Sequence, residues 1–332
     1  MKMPGLKHSD TAGRANGAPE FSMLVTCHFE ERSIGEFHAR VSAALESLGR
    51  PYEIIMANDG STDGTWDKLK AIFAKDPKVS VIMDFFRNAG QQAAITACIC
   101  EARGRAFILM DSDLQLMPEE LPALVAEYDK GFDLVSGYRR NRRDSFWRII
   151  PSKLANVIMR LASRSTMRDF GCTFKIYNAR LLRAFDLGPT RIFSNVDAIA
   201  RLQRWTEVPV THHPRRYGKS GFTFRKLWQY NMDNIVSMSQ RPFQVIAGLC
   251  LAASALFLLR MALGFFIDFK VLDQVTNGLL LNALVFTLLV LVAVLAMVGE
   301  FAIRCFVMLR SHPAYIVREV LRRDNSGADA AG

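Results

Sequence analysis

Residues 106–115 read AFILMDSDLQ, an apolar run that ends abruptly in two aspartates one residue apart. An apolar run without polar alternation suits a strand covered on both faces. Asp111 and Asp113 would leave the end of that strand, and continued strand geometry would set both carboxylates on one face. Such a pair suits a hard divalent cation that keeps waters and takes phosphate oxygens, with a solvated turn as the alternative.

Outward from this stretch the same punctuation recurs in SMLVTCHF (22–29), YEIIMA (52–57), VSVIM (79–83) and DLVSGY (133–138). Helices are expected between these runs, around Ser33–Leu48, Thr65–Lys75 and Ala93–Ala102, and from Pro118. The alternation predicts an α/β, Rossmann-like fold with a mostly parallel sheet flanked by helices. Ligands in such sheets lie beyond the carboxyl ends of the strands. After YEIIMA comes Asn58-Asp59-Gly60-Ser61-Thr62-Asp63-Gly64, which suits either a loop that cradles a polar ligand or a tight turn with an N-cap. No Walker lysine motif, GxGxxG or HExxH is present, and Asp169-Phe170-Gly171 stands without the other kinase motifs.

The chain has 332 residues, 50% of them hydrophobic, and its 42 Lys+Arg against 32 Asp+Glu give a formal charge of +10. That composition excludes a disordered protein, and the charged residues thin out in two late stretches. Cys27, Cys98, Cys100, Cys172, Cys250 and Cys305 form no CxxC pair, which argues against a disulfide framework or a zinc site. Residues 1–20 read as a disordered tail without the apolar core of a secretory signal, so the soluble part is expected in the cytosol.

Phe243–Ile267 carries one charge, Arg260, and Gly278–Gly299 carries none. As helices they would reach roughly 37 and 33 Å, enough for a hydrocarbon core of about 30 Å. Arg225, Lys226 and Arg241 precede the first and Arg304, Arg310, Arg318, Arg322 and Arg323 follow the second, which predicts cytoplasmic termini and residues 268–277 on the other side. Arg260 falls where it can snorkel to the outer headgroups. Residues 224–240 place Leu227, Trp228, Met232, Ile235, Val236 and Met238 largely along one helical side, as an interfacial helix on anionic lipid would, and a linker helix packed on the soluble domain would show the same pattern. The basic excess is thus assigned to a membrane surface and phosphate-bearing ligands, with no nucleic-acid motif present.

NDGSTDGT (58–65), RNAGQQAA (87–94) and MDSDLQ (110–115), in this order and spacing, resemble the family 2 glycosyltransferases with the GT-A fold. YRRNRRDSFWR (138–148), RDFGCTFKIY (168–177), HHPRRYGKSGF (212–222), VGEFAIRCF (298–306) and HPAYIVREV (312–320) resemble the polyprenyl-phosphate branch of that family. The resemblance covers about residues 22 to 320 and implies a GT-A domain over 21–223. It further implies an interfacial helix over 224–241, a transmembrane hairpin over 242–303 and a cytoplasmic C-terminal helix and tail over 304–332. The implied site has Glu30 and Asp59 on the nucleotide, Asp111, Asp113 and Gln115 on Mg²⁺ or Mn²⁺ and the donor diphosphate, and Arg215 and Ser220 in a loop closing over it. Arg139 and Arg148 match arginines that hold the acceptor phosphate, and Asp169 matches the loop beside the transferred sugar.

The implied partners are a UDP- or GDP-linked sugar, a polyprenyl (undecaprenyl) phosphate and the inner membrane. The resemblance also allows a homo-oligomer. The catalytic set expected is Asp113, Asp169 and Arg139, acting in an inverting transfer onto a lipid phosphate that is itself the nucleophile. Three departures stand out: Asn58 for an aspartate, Leu116 for a carboxylate near the metal, and Gly221 for a lysine. They motivate the alternative of a membrane-anchored binding protein whose catalysis has decayed. A polysaccharide synthase is the other alternative, but its QxxRW motif fails here because Arg201 precedes Arg204-Trp205.

Overall fold

The computed structural model describes residues 18–140, 166–202, 204–214 and 313–323, together with a scattered set of positions between 283 and 305. The chain divides into two units, Met1–Thr223 with Pro313–Gly332, and Phe224–His312. The first unit is built on one eight-stranded sheet in the order β7-β5-β6-β4-β1-β2-β3-β8. Its strands are β1 Phe21–Cys27, β2 Tyr52–Asn58, β3 Val79–Phe85, β4 Ala106–Asp111, β5 Leu134–Arg140, β6 Lys175–Asn178, β7 Trp205–Thr211 and β8 Val317–Arg322.

The helices α1 Ile34–Glu46, α2 Thr65–Lys75, α3 Gln91–Glu101 and α4 Leu121–Tyr128 alternate with the first five strands. Strands β2 and β3 are buried along their whole length, which explains the apolar runs at their centres. α1 turns Ile34, Phe37, Val41, Ala44 and Leu45 into the core, the spacing of one helical face. α3 buries every residue from Ala93 to Ile99, and its small side chains let it lie close to the sheet. Each fully buried Ile, Leu or Phe of this core contributes about 1.5–3 kcal/mol.

The expected mostly parallel sheet holds for β1–β2, β1–β4, β2–β3 and β5–β7, whereas β3–β8, β4–β6 and β5–β6 are antiparallel. β6 enters between β4 and β5, a long-range insertion that no local periodicity announces. The C-terminal helix expected within 304–332 is, over Val317–Arg322, a strand. Val317 and Val320 share a helical spacing, but β3 would otherwise present an open apolar edge, and pairing with β8 covers it. Tyr315 stacks on Phe85 at 5.0 Å between ring centroids and ties this segment down further.

In the second unit, the described positions between 283 and 305 are helical, with Leu284, Phe286, Leu288, Leu291 and Leu295 all exposed. Among the described residues no helix is long and apolar enough to cross a membrane. The expected interfacial helix, the first span with Arg260, and the N-terminal tail up to residue 17 lie outside the described residues.

Candidate active site

The carboxyl ends of β1, β2 and β4 lie side by side, with Cys27 paired to Asn58 and Thr26 to Asp111. Asp111 is the last residue of β4; the chain turns from Ser112 onward, and Leu114 in that turn lies in the left-handed region at φ 57°. The two aspartates therefore do not share a continuing strand face. The turn still brings Asp111, Asp113 and Gln115 onto the wall of one cleft. Ser112 donates to the Thr26 carbonyl at 2.8 Å and the Gln115 amide donates to Asp113 Oδ1 at 3.1 Å, which fixes the turn.

Asp111 is oriented from both sides: Gln91 Nε2 donates to Oδ1, and Thr173 Oγ1 donates to Oδ2 at 2.9 Å. Neither partner was assigned from sequence, although Gln91 stands in the RNAGQQAA stretch; Thr173 comes from 62 residues away. His212, which the sequence reading left outside the expected site as a strand-end histidine, also lines the cleft, its backbone bridged to that of Leu116.

Across the cleft, Arg139 and Asp169 form a forked ion pair, Nε to Oδ2 at 2.7 Å and Nη2 to Oδ1 at 2.9 Å. Asp169 Oδ1 also accepts the Gly171 amide at 3.1 Å, so the carboxylate shapes its own turn while holding the arginine. Burial pushes the Asp169 carboxyl up, but the hydrogen bonds and charge of Arg139 outweigh it and hold the group below the usual carboxylate range. Glu207 on β7 accepts the backbone amides of Arg168 and Asp169, and the buried Lys175 donates to the carbonyls of Phe170 and Cys172 from below. The Asp169 loop is thus fixed on two sides. Burial pushes the Cys172 thiol up to about 11, so it is not a thiolate nucleophile at neutral pH.

Asp59 is 3% exposed, and its carboxylate accepts the amides of Ala89 and Gly90 at 2.6 and 3.0 Å and Asn88 Nδ2 at 3.0 Å. It organises the loop that leads into Gln91 at the start of α3. Gly60 beside it has φ +62°, and a Cβ there would collide with the backbone of Arg87 and Asn88. Glu30 is equally buried, with Ser33 on its carboxylate and its own amide donating to Thr65 Oγ1 at 3.0 Å. Arg148, Arg215 and Ser220 lie outside the described residues.

Two carboxylates and an amide oxygen on one wall are hard oxygen donors, the chemistry that suits Mg²⁺ or Mn²⁺. Among the described residues no group of three His, Cys, Asp or Glu side chains could hold a metal by itself. The donor set therefore fits a cation completed by water and by phosphate oxygens of a ligand.

Residues 22–187 match the model of glycosyl transferase family 2. The chain belongs to this family. It is 32% identical over 326 residues to an undecaprenyl-phosphate 4-deoxy-4-formamido-L-arabinose transferase of Pseudomonas paraeruginosa, covering 93% of each chain. It is also 32% identical over 317 residues to the transferase of that name from Salmonella paratyphi A, covering 90% of this chain and 93% of the relative. Among solved structures, glucosyl-3-phosphoglycerate synthase from Mycobacterium tuberculosis with Mn²⁺ and UDP-glucose matches with a TM-score of 0.50 at 18% identity, over 66% of this chain and 77% of that one. This family 2 member is a glycosyltransferase with a Rossmann-like GT-A sheet.

Proposed function

We propose that this glycosyltransferase is membrane-bound and moves a sugar, with inversion, from a nucleotide sugar to a polyprenyl phosphate. The observation that carries the reading is that Arg139, held by Asp169, lines the same cleft as Asp111 and Asp113. One wall suits a cation-bound diphosphate and the other suits an anionic acceptor. The relatives' name specifies undecaprenyl phosphate as acceptor for those proteins and supports the same acceptor class here.

A phosphate monoester has a second pKa near 6 and is largely dianionic at neutral pH. Such a nucleophile needs no strong general base, so Asp169 is assigned to holding Arg139 in place. Arg139, with Arg148, brings the acceptor phosphate to the donor against the mutual repulsion of two anions. A divalent cation held by Asp111, Asp113 and Gln115 would neutralise charge on the departing nucleotide diphosphate. Gln91 and Thr173 keep the Asp111 carboxylate aimed. Glu30 and Asp59 shape the loops facing the nucleotide, and Arg215 and Ser220 close over the diphosphate. Direct attack at C1 turns an α-linked donor into a β-linked product.

The membrane reading assigns 224–241 to an interfacial helix and 242–303 to two spans, with both termini cytoplasmic. It is supported by the exposed leucines of the 283–305 stretch, since an apolar surface of that kind in water carries a large hydration cost. The test is acceptor discrimination by detergent-purified full-length protein. Radiolabel from a nucleotide sugar should pass to undecaprenyl phosphate and not to undecaprenol, and chelation should stop it. Equal labelling of the alcohol would refute the assignment of the phosphate as nucleophile.

A further inference from the structure

Asn58 ends β2 fully buried, and its Nδ2 donates to Asp84 Oδ1 on β3 at 2.7 Å. Its Oδ1 accepts Ser61 Oγ at 2.5 Å, and Ser61 Oγ accepts the backbone amide of Phe29 at 3.0 Å. Phe29 needs such a hold, because its φ of 59° is costly for a residue with a side chain. At the other end, Asp84 Oδ2 pairs with Arg318 Nη1 at 3.2 Å. Arg318 is anchored in turn by Nη2 to the Phe86 carbonyl at 3.0 Å and by stacking on the Phe86 ring. An unbroken series of hydrogen bonds therefore runs from the last strand to the loop after β1.

We propose that Arg318, Asp84, Asn58 and Ser61 form a positioning relay that sets the Phe29–Glu30 loop, so that the C-terminal strand controls affinity for the nucleotide donor. The inference rests on the reading of that loop as donor-facing. It also accounts for Asn58. An aspartate at this position would face the Asp84 carboxylate at hydrogen-bond distance, and two carboxylates there cannot both stay ionised. Asn58 gives Asp84 a neutral donor in place of a second carboxylate, while its own Oδ1 accepts from Ser61. None of the four touches the reacting atoms; they act through the loop.

The test uses full-length protein in detergent with Mn²⁺, reading the affinity for UDP and GDP by calorimetry and exchange of the Phe29 amide by mass spectrometry. Asn58→Asp and Arg318→Met should each weaken the tighter nucleotide about tenfold, the effect of one lost hydrogen bond, and speed Phe29 exchange. The swap Asn58→Asp/Asp84→Asn restores complementary donors and acceptors throughout and should return both readouts to wild type. Because the swap keeps volume and polarity, it distinguishes a relay from general damage to the fold. Unchanged Phe29 exchange in both single variants, or a swap as defective as Asn58→Asp, would overturn the relay. A wild-type Phe29–Glu31 loop that nucleotide leaves unprotected would instead overturn the donor-facing reading, and the control of affinity with it.

Discussion

Arg139 and Asp169 meet through two parallel hydrogen bonds of 2.7 and 2.9 Å, with side chains only 16% and 12% exposed. The pair joins the end of β5 to the loop before β6, so the cation of the cleft and the turn beside it are one unit. Asp169→Ala takes the carboxylate from a guanidinium that is only partly open to the cleft, a change that costs about 2–3 kcal/mol. Thermal unfolding of that variant should move down by several degrees, while Asp169→Asn keeps hydrogen-bonding groups and should fold more nearly as wild type but with transfer lowered. Equal melting of Asp169→Ala and wild type would contradict the coupling.

The same pair sets a pH dependence. The folded-state pKa of Asp169 lies below its unfolded value, so its contribution to stability is complete above the unfolded carboxyl pKa of about 3.9 and is lost as pH falls through the folded one. The stability gap between wild type and Asp169→Asn should be constant from neutral pH to about pH 5 and close only in stronger acid. A gap that closes on the alkaline side would reverse the sign of the argument.

Asp113→Ala should abolish transfer without altering membrane insertion, because it removes one of the two carboxylates on the donor wall. Thr173→Val tests the next layer. Losing the hydrogen bond to Asp111 Oδ2 should lower kcat about tenfold at unchanged melting temperature. Transfer at the wild-type rate by the Asp113 variant would remove it from the site.

Gly60→Ala should destabilise by about 2 kcal/mol or more, combining a left-handed backbone with a collision against the Arg87–Asn88 backbone. The loss should appear in denaturant unfolding as a lower midpoint with unchanged slope.

A reporter fused after Asp273 should give signal only on the non-cytoplasmic side; cytoplasmic signal there would overturn the two-span hairpin.

What was legible in the sequence follows from range. Strands β1 to β4 were readable because burial on both faces writes itself as continuous apolar runs, and α2 begins and ends at the expected Thr65 and Lys75. The position of Asp111 and Asp113 at a strand end was readable from the apolar run before them, and both line one cleft. Their supports were not: Thr173 reaches Asp111 across 62 residues, and Asn58 stood out as a departure while its partner Asp84 lay inside an unremarkable strand end. The C-terminal helix implied by the resemblance is a strand over Val317–Arg322 because the edge of β3, far away in sequence, offers it a pairing that no local pattern announces.

Mass spectrometry of the lipid fraction reads the transfer itself. Purified protein would be incubated with undecaprenyl phosphate, Mn²⁺ and a panel of UDP- and GDP-sugars, with the Arg139→Met variant in parallel. The account predicts a lipid-phosphate monosaccharide from at least one donor, absent with chelator and strongly reduced in the variant. Sugar appearing only as a lengthening polysaccharide, or lipid left unmodified by every donor while nucleotide still binds, would contradict it.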